Sequence, residues 1–167
     1  MKRFTCILLL FVAVLAQAQV RTYSENASKT FVVGLDSYFY GEAGSLSFDA
    51  AGQSFQASVG ADGVFIGDHR LGAGGDVVIG IHDFTGNRVP ELVMATRKED
   101  AIGLWIYTLK GSSWSLLKMM ALHGAKEVRI FRQVVSARRG EALCSWTWHG
   151  DKFDYKASDG SAEPTSL

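Results

Sequence analysis

Apolar side chains along this chain recur mostly at every second position, and short runs rich in Gly, Asp and Ser separate the alternating segments. A two-residue period places alternate side chains on opposite faces of an extended strand, whereas a helix needs apolar positions three and four residues apart. The pattern therefore predicts β-strands along most of the chain. The predicted strand segments are 29–35, 45–59 (a hairpin), 63–72, 74–83, 91–97, 103–111, 114–122, 126–140 and 141–158 (a hairpin).

These segments predict an all-β fold of about nine or ten strands, either a compact antiparallel sandwich or a propeller-like domain. No long helical pattern alternates with the strands, which disfavours a doubly wound parallel sheet. Residues 114–122 also fit one or two helical turns. Residues 19–158 have the length of one domain, and the polar residues 159–167 are expected to form a frayed tail.

The N-terminus has the pattern of a cleaved signal peptide. Lys2 and Arg3 precede an apolar run that is too short to span a bilayer, and small residues follow it at 16–18. We expect residues 1–18 to be removed and the protein to be exported to the periplasm or the cell exterior, without a transmembrane segment. Cys144 is then the one cysteine left, and its apolar neighbours predict a buried thiol without a disulfide.

A candidate metal-binding loop lies between two apolar segments. Asp83, Thr85, Asn87 and Glu91 stand at relative positions 1, 3, 5 and 9 of this loop, and all four side chains carry oxygen. Ca²⁺ takes six to eight oxygen ligands, and short loops supply them from alternate positions. The spacing therefore predicts a possible Ca²⁺ site.

The segment DVVIGIHDFTGNRVPELVMATR resembles one unit of the FG-GAP/VCBS-type repeats of exported β-proteins, and the resemblance extends over about residues 74–117. It implies that Asp83 takes the first acidic position, Thr85 the Asn/Asp position and Gly86 the first Gly. Asn87 then replaces the second Asp, Arg88 the second Gly, and Glu91 with Leu92 the Asp-Leu pair. The resemblance implies a calcium-binding loop, here in a degenerate form.

The same loop can also be a polar turn without an ion. The family loop has three or four carboxylates and this loop has two, while Arg88 adds a positive charge where Gly would supply a positive φ. In this alternative the Asp, Thr and Asn side chains accept hydrogen bonds from the loop's own amides. Arg88 would then pair with Asp83 or Glu91 in place of the cation.

Charge is balanced overall but divided along the chain. Residues 20–101 contain 6 basic and 11 acidic side chains, a net charge of about −5, whereas residues 102–156 contain 9 basic and 4 acidic side chains, a net charge of about +5. Nucleic-acid binding requires a dominant basic surface, so this distribution argues against it. It fits a polarised surface that steers a charged partner.

The basic half contains the candidate partner-binding surface. Arg and Trp dominate the energetics of protein interfaces, and alternation places Arg129 on the face opposite to Val128 and Ile130. The alternative is an ordinary solvated face. The candidate residues are Arg129, Arg132, Arg138, Arg139, Trp146 and Trp148.

No nucleophile elbow, Cys/His grouping or phosphate-binding loop occurs in the sequence. We therefore expect an exported, non-catalytic binding module whose partner is a protein or another cell-envelope component. A periplasmic inhibitor of cell-wall hydrolases is one alternative, by analogy with other small exported β-domains. A small secreted hydrolase that uses scattered carboxylates is the other.

Overall fold

The computed structural model describes residues 30–165, and this part of the chain is all β, with no helix long and apolar enough to cross a membrane. The predicted signal peptide at 1–18 lies outside the described residues. The strands are β1 Val32–Val33, β2 Ser37–Gly41, β3 Gly44–Ala50, β4 Gln53–Gly60, β5 Gly63–Ile66, β6 His69–Gly72, β7 Val77–His82, β8 Glu91–Lys98, β9 Ala101–Lys110, β10 Ser113–His123, β11 Val128–Phe131, β12 Val134–Arg139, β13 Ala142–Trp148 and β14 Phe153–Ala157.

The all-β prediction is confirmed, although these fourteen strands exceed the nine or ten expected. Several predicted segments contain two short strands and a tight turn: residues 63–72 form β5 and β6, and residues 126–140 form β11 and β12. Residues 114–122 lie within β10, so the alternative of helical turns is wrong. The segment pairs antiparallel with β9 on both sides of a β-bulge at Leu117, which fixes its extended conformation.

Three consecutive four-stranded antiparallel meanders form three sheets, and they stack face to face in chain order. The first sheet contains β3–β6; the central sheet contains β7–β10 and adds β2; the last sheet contains β11–β14 and adds β1. One apolar core fills the space between the first and central sheets, and a second core lies between the central and last sheets. The sequence of consecutive four-stranded meanders resembles neighbouring propeller blades. A sandwich has two sheets, whereas this stack has three.

The central sheet has apolar side chains on both faces. In β7, Val78 faces the last sheet while Ile79 faces the first, and Val93 and Leu92 in β8 divide in the same way. All four side chains are fully buried. A strand covered on both faces has a continuous apolar run instead of alternation, which explains the sequences VVI and LVM at these positions.

The segment before the first sheet connects the other two sheets. Val32 in β1 pairs in parallel with Val128 of β11 in the last sheet, and five residues later β2 pairs antiparallel with β7 of the central sheet. Gly80 permits this close approach, because a Cβ atom there would lie 2.8 Å from the carbonyl oxygen of Ser37. β1 therefore covers the outer edge of β11, and β2 covers the outer edge of β7.

The C-terminal tail lies against the domain as far as Glu163, so the expectation that it frays is wrong for this part. One oxygen of Glu163 accepts a hydrogen bond from the Trp146 indole at 2.6 Å and lies 2.7 Å from the Lys118 ammonium. Because Trp146 belongs to β13 and Lys118 to β10, the tail links the last sheet to the central sheet. Cys144 is a fully buried free thiol, as predicted.

Removing a large side chain from the central sheet should destabilise the whole stack. We expect Leu92→Ala to lower the free energy of unfolding by about 2–5 kcal/mol, because the chain loses buried apolar contacts and gains a cavity. The measurement is the midpoint of denaturant unfolding, compared between variants whose unfolding free energy depends equally on denaturant concentration. The control is Leu116→Ala on β10, where the side chain is 54% exposed and the expected loss is below about 0.5 kcal/mol. Equal losses in both variants would contradict the three-layer packing.

Candidate functional site

The loop between β7 and β8 brings three of the four predicted oxygen-bearing side chains together. The Thr85 hydroxyl lies 3.2 Å from one Glu91 carboxylate oxygen and 3.5 Å from one Asp83 oxygen. Asn87 is exposed and its side-chain oxygen accepts a hydrogen bond from the Val89 amide at 2.7 Å. The prediction that Asn87 joins the cluster is therefore wrong, since this side chain closes its own turn instead.

Both carboxylates of the loop are occupied by the loop's own donors. One Asp83 oxygen accepts the Gly86 amide at 2.8 Å and the other accepts the Arg88 amide at 2.9 Å. Glu91 accepts the Phe84 amide at 2.9 Å and the Thr85 amide at 3.4 Å. Arg88 has a φ of 68°, the left-handed conformation that a Gly would adopt with less strain. Its backbone amide, and not its guanidinium, makes the contact with Asp83.

The oxygen atoms of this loop fit the coordination of Ca²⁺ poorly. Two carboxylates and one hydroxyl approach each other, while the ion takes six to eight oxygens. Each Asp83 oxygen already accepts one amide, which leaves one lone pair on each oxygen for a cation. Within residues 30–165, no group of three or more His, Cys, Asp or Glu side chains has the arrangement to hold a metal ion.

Glu91 is the buried centre of the loop. Its side chain is only 1% exposed, and burial raises the pKa of this carboxyl above its ordinary range, although the hydrogen bonds from Phe84 and Thr85 oppose the shift. The residue before the loop, His82, is also buried. Its Nε2 lies 2.7 Å from the Arg132 carbonyl oxygen, and its Nδ1 lies 3.3 Å from an Asp36 oxygen without the alignment of a hydrogen bond.

His82 connects this loop to the turn between β11 and β12. Arg132 occupies that two-residue turn with a φ of 52°, and its carbonyl is the partner of the His82 ring. The next carbonyl, of Gln133, accepts the Trp148 amide at 2.8 Å. The turn is therefore fixed from both the central and the last sheet. Sequence reasoning did not identify His82 as a structural contact, because its partner lies fifty residues away.

The fixed turn holds Phe131 at the outer face of the last sheet, where this side chain is 70% exposed. The described part of the chain has four exposed large apolar side chains, and three of them lie on this face: Val33, Phe131 and Leu143. The fourth, Leu116, belongs to the central sheet. Outward alternation in β11 and β13 could have predicted Phe131 and Leu143 from the sequence.

The predicted basic residues divide between this face and the interior. Arg129 and Arg138 are exposed on the outer face, and the Arg132 guanidinium lies 5.3 Å from the centre of the Phe131 ring. Arg139 is half-buried and donates to the His123 carbonyl at 3.3 Å. Arg139 thus links β12 to the end of β10, and its role in partner binding stays a prediction.

The two predicted aromatic contacts, Trp146 and Trp148, are both in the interior. They are two residues apart on β13 and so share its inner face, where they are 0% and 7% exposed. Trp146 packs beside Tyr155, and Trp148 packs beside Phe153. The prediction that these tryptophans bind a partner is therefore wrong, because alternation places them in the core with Cys144.

Comparisons of the chain with protein-family models, with curated proteins and with solved structures return no match. The resemblance of residues 74–117 to an FG-GAP/VCBS-type repeat stays a prediction from the sequence. The candidate site is therefore defined by geometry: the loop at 83–91, the turn that it supports, and the outer face of the last sheet.

Substitution of Asp83 should distinguish a polar turn without an ion from a calcium site. We expect Asp83→Ala to cost about 1–3 kcal/mol of stability, because the Gly86 and Arg88 amides lose their charged acceptor. The cost should be the same with millimolar Ca²⁺ and with chelator in thermal melts. The control is Asp62→Ala, an equal charge change at an exposed turn. A cost that arises only with Ca²⁺ would establish an ion site instead.

Glu91 should make stability depend on pH in a direction opposite to that of an ordinary paired carboxylate. A folded-state pKa above the unfolded value means that protonation favours the folded state, so stability is lost as pH rises through the folded pKa. From about pH 4 to 7, the free energy of unfolding of the wild type should fall relative to that of Glu91→Gln. Urea titrations at several pH values measure this difference, and parallel profiles would contradict it.

Proposed function

We propose that this chain is an exported, non-catalytic binding module that contacts a protein partner through the outer face of its last sheet. The observation that carries the proposal is the concentration of exposed apolar side chains on that face, with Phe131 at its edge. Exposed apolar patches that are bordered by charged residues mark protein interaction sites. Each of these apolar side chains has an arginine as its neighbour: Arg129 beside Val33, Arg132 beside Phe131 and Arg138 beside Leu143.

The loop at 83–91 supports this surface and needs no ion to do so. Glu91 and Asp83 fix the loop, Phe84 is fully buried beside Phe153 of the last sheet, and His82 holds the Arg132 carbonyl. These contacts keep the turn that presents Phe131 in one conformation. A side chain that is ordered before binding loses less conformational entropy on association, which favours affinity.

The buried position of Glu91 also favours binding over hydrolysis. A general acid is often a carboxyl group whose pKa is raised, and Glu91 has this property. Its oxygens, however, face the amides of Phe84 and Thr85, and a bulky substrate cannot reach a side chain that is 1% exposed. The raised pKa is therefore a consequence of a structural contact.

Capture of partners from a cell-envelope extract tests the proposal. Leu143→Asp and Phe131→Ala should each lower the recovery of specifically bound protein by about tenfold, because anchor side chains carry most of the binding energy. Leu116→Asp is the matched control, since this leucine is similarly exposed but lies on another sheet. Circular dichroism verifies folding. Unchanged recovery with both outer-face variants would refute the proposed surface.

A further inference from the structure

A groove of about 700 Å³ crosses one end of the outer face of the last sheet. Its lining includes Ser136 of β12 and Leu143 of β13, three cations (Lys126, Arg129 and Arg138) and two carboxylates (Glu127 and Glu141). Arg138 and Leu143 are directly opposite each other on β12 and β13, so a cation and an apolar side chain are neighbours in the groove.

The cations of the groove are only partly neutralised within the chain. Arg129 is paired with Glu127 at 2.6 Å. In the described residues, neither Lys126 nor Arg138 has an acidic partner within ion-pair distance. Residues 124–158, which form this layer, contain 7 basic and 4 acidic side chains, a net charge of about +3. The lining of the groove itself has three basic and two acidic side chains, a net charge of about +1, which favours a negatively charged ligand.

Backbone contacts fix both sides of the groove. Arg97 of the central sheet donates to the Lys126 carbonyl, and its guanidinium also lies 4.4 Å from the centre of the Phe31 ring. On the other side, the Leu143 amide donates to the Ser158 hydroxyl at 2.9 Å, and the Ser158 amide donates to the Leu143 carbonyl at 2.9 Å. A groove with fixed walls suits an extended ligand that brings the complementary charge.

We propose that this groove binds an extended acidic polypeptide segment of the partner, with carboxylates against Arg138 and Lys126 and an apolar side chain on Leu143. Alternate side chains of an extended segment point to one face about 7 Å apart, which matches the separation of outward residues such as Ser136 and Arg138 along β12. This inference rests on the proposed function and adds the chemistry of the partner.

Fluorescence anisotropy with two defined ten-residue peptides tests the inference. One labelled peptide alternates Glu and Leu, and the other has Lys in place of each Glu. The acidic peptide should bind at least about tenfold more tightly than the basic one at low salt, and its affinity should fall as the salt concentration rises.

Three variants locate the binding to the groove. Arg138→Glu, and more mildly Arg138→Gln, should weaken binding of the acidic peptide, by about tenfold for the charge reversal. Lys110→Glu is the matched control at an exposed lysine of the central sheet, and it should change the affinity by less than about threefold. Leu143→Asp should also weaken binding, whereas Leu116→Asp should not.

Equal affinity for the two peptides, or no response to Arg138→Glu, would overturn the inference. Tighter, Arg138-dependent binding to heparin or to phosphatidylglycerol vesicles than to the acidic peptide would also overturn it, in favour of an anionic polysaccharide or a membrane. Concentration-dependent dimers in sedimentation that Leu143→Asp abolishes would replace the peptide with a second copy of the chain. If Leu143→Asp abolishes capture from the extract while neither peptide binds, the proposed function stands and only this inference fails.

Discussion

Burial of both faces of the central sheet is the constraint on which the rest of this structure depends. Val78 and Val93 pack against the last sheet while Ile79 and Leu92 pack against the first, so the central sheet cannot be stable without both neighbours. Neither outer sheet is buried on both faces, because each has one face towards solvent. The three sheets consequently form one cooperative unit, and loops at the ends of the central strands, such as 83–91, have fixed positions relative to the last sheet.

Because its position is fixed, the loop at 83–91 contacts the turn between β11 and β12. A polar loop at the end of a buried strand must satisfy its amides, and Asp83 and Glu91 do so with short local hydrogen bonds. The same constraint places His82 within 2.7 Å of the Arg132 carbonyl, and Arg132 in turn has an unfavourable positive φ. A two-residue hairpin turn of the favoured types requires a positive φ at its first residue. The structure thus joins the loop at 83–91 to the turn beside the exposed Phe131 side chain.

Local periodicity predicted the strands and their inner faces, but it did not predict the layers. Val128 and Ile130 face inward as the alternation indicates, and the hairpin at 141–158 occurs as predicted. The third layer was not predictable, because the apolar runs of β7 and β8 show that both faces are covered without showing by what. The choice of Trp146 and Trp148 as partner contacts followed residue type, although their spacing from Cys144 already placed them on the buried face. Long-range contacts such as those of His82 and Glu163 leave no signal in a single sequence.

The two outer faces of the stack differ in their charge and in their exposed apolar side chains. The outward residues of the first sheet include Ser47, Gln56 and Ser58, and residues 42–76 contain 5 acidic and 1 basic side chain. The last sheet has a net positive charge and most of the exposed apolar side chains. Attraction between opposite charges alone would favour end-to-end association of copies, yet Phe131 and Leu143 would then face serine and glutamine and gain little burial. The partner proposed above, with its own apolar and acidic groups, would bury Phe131 and Leu143 more completely than a second copy would.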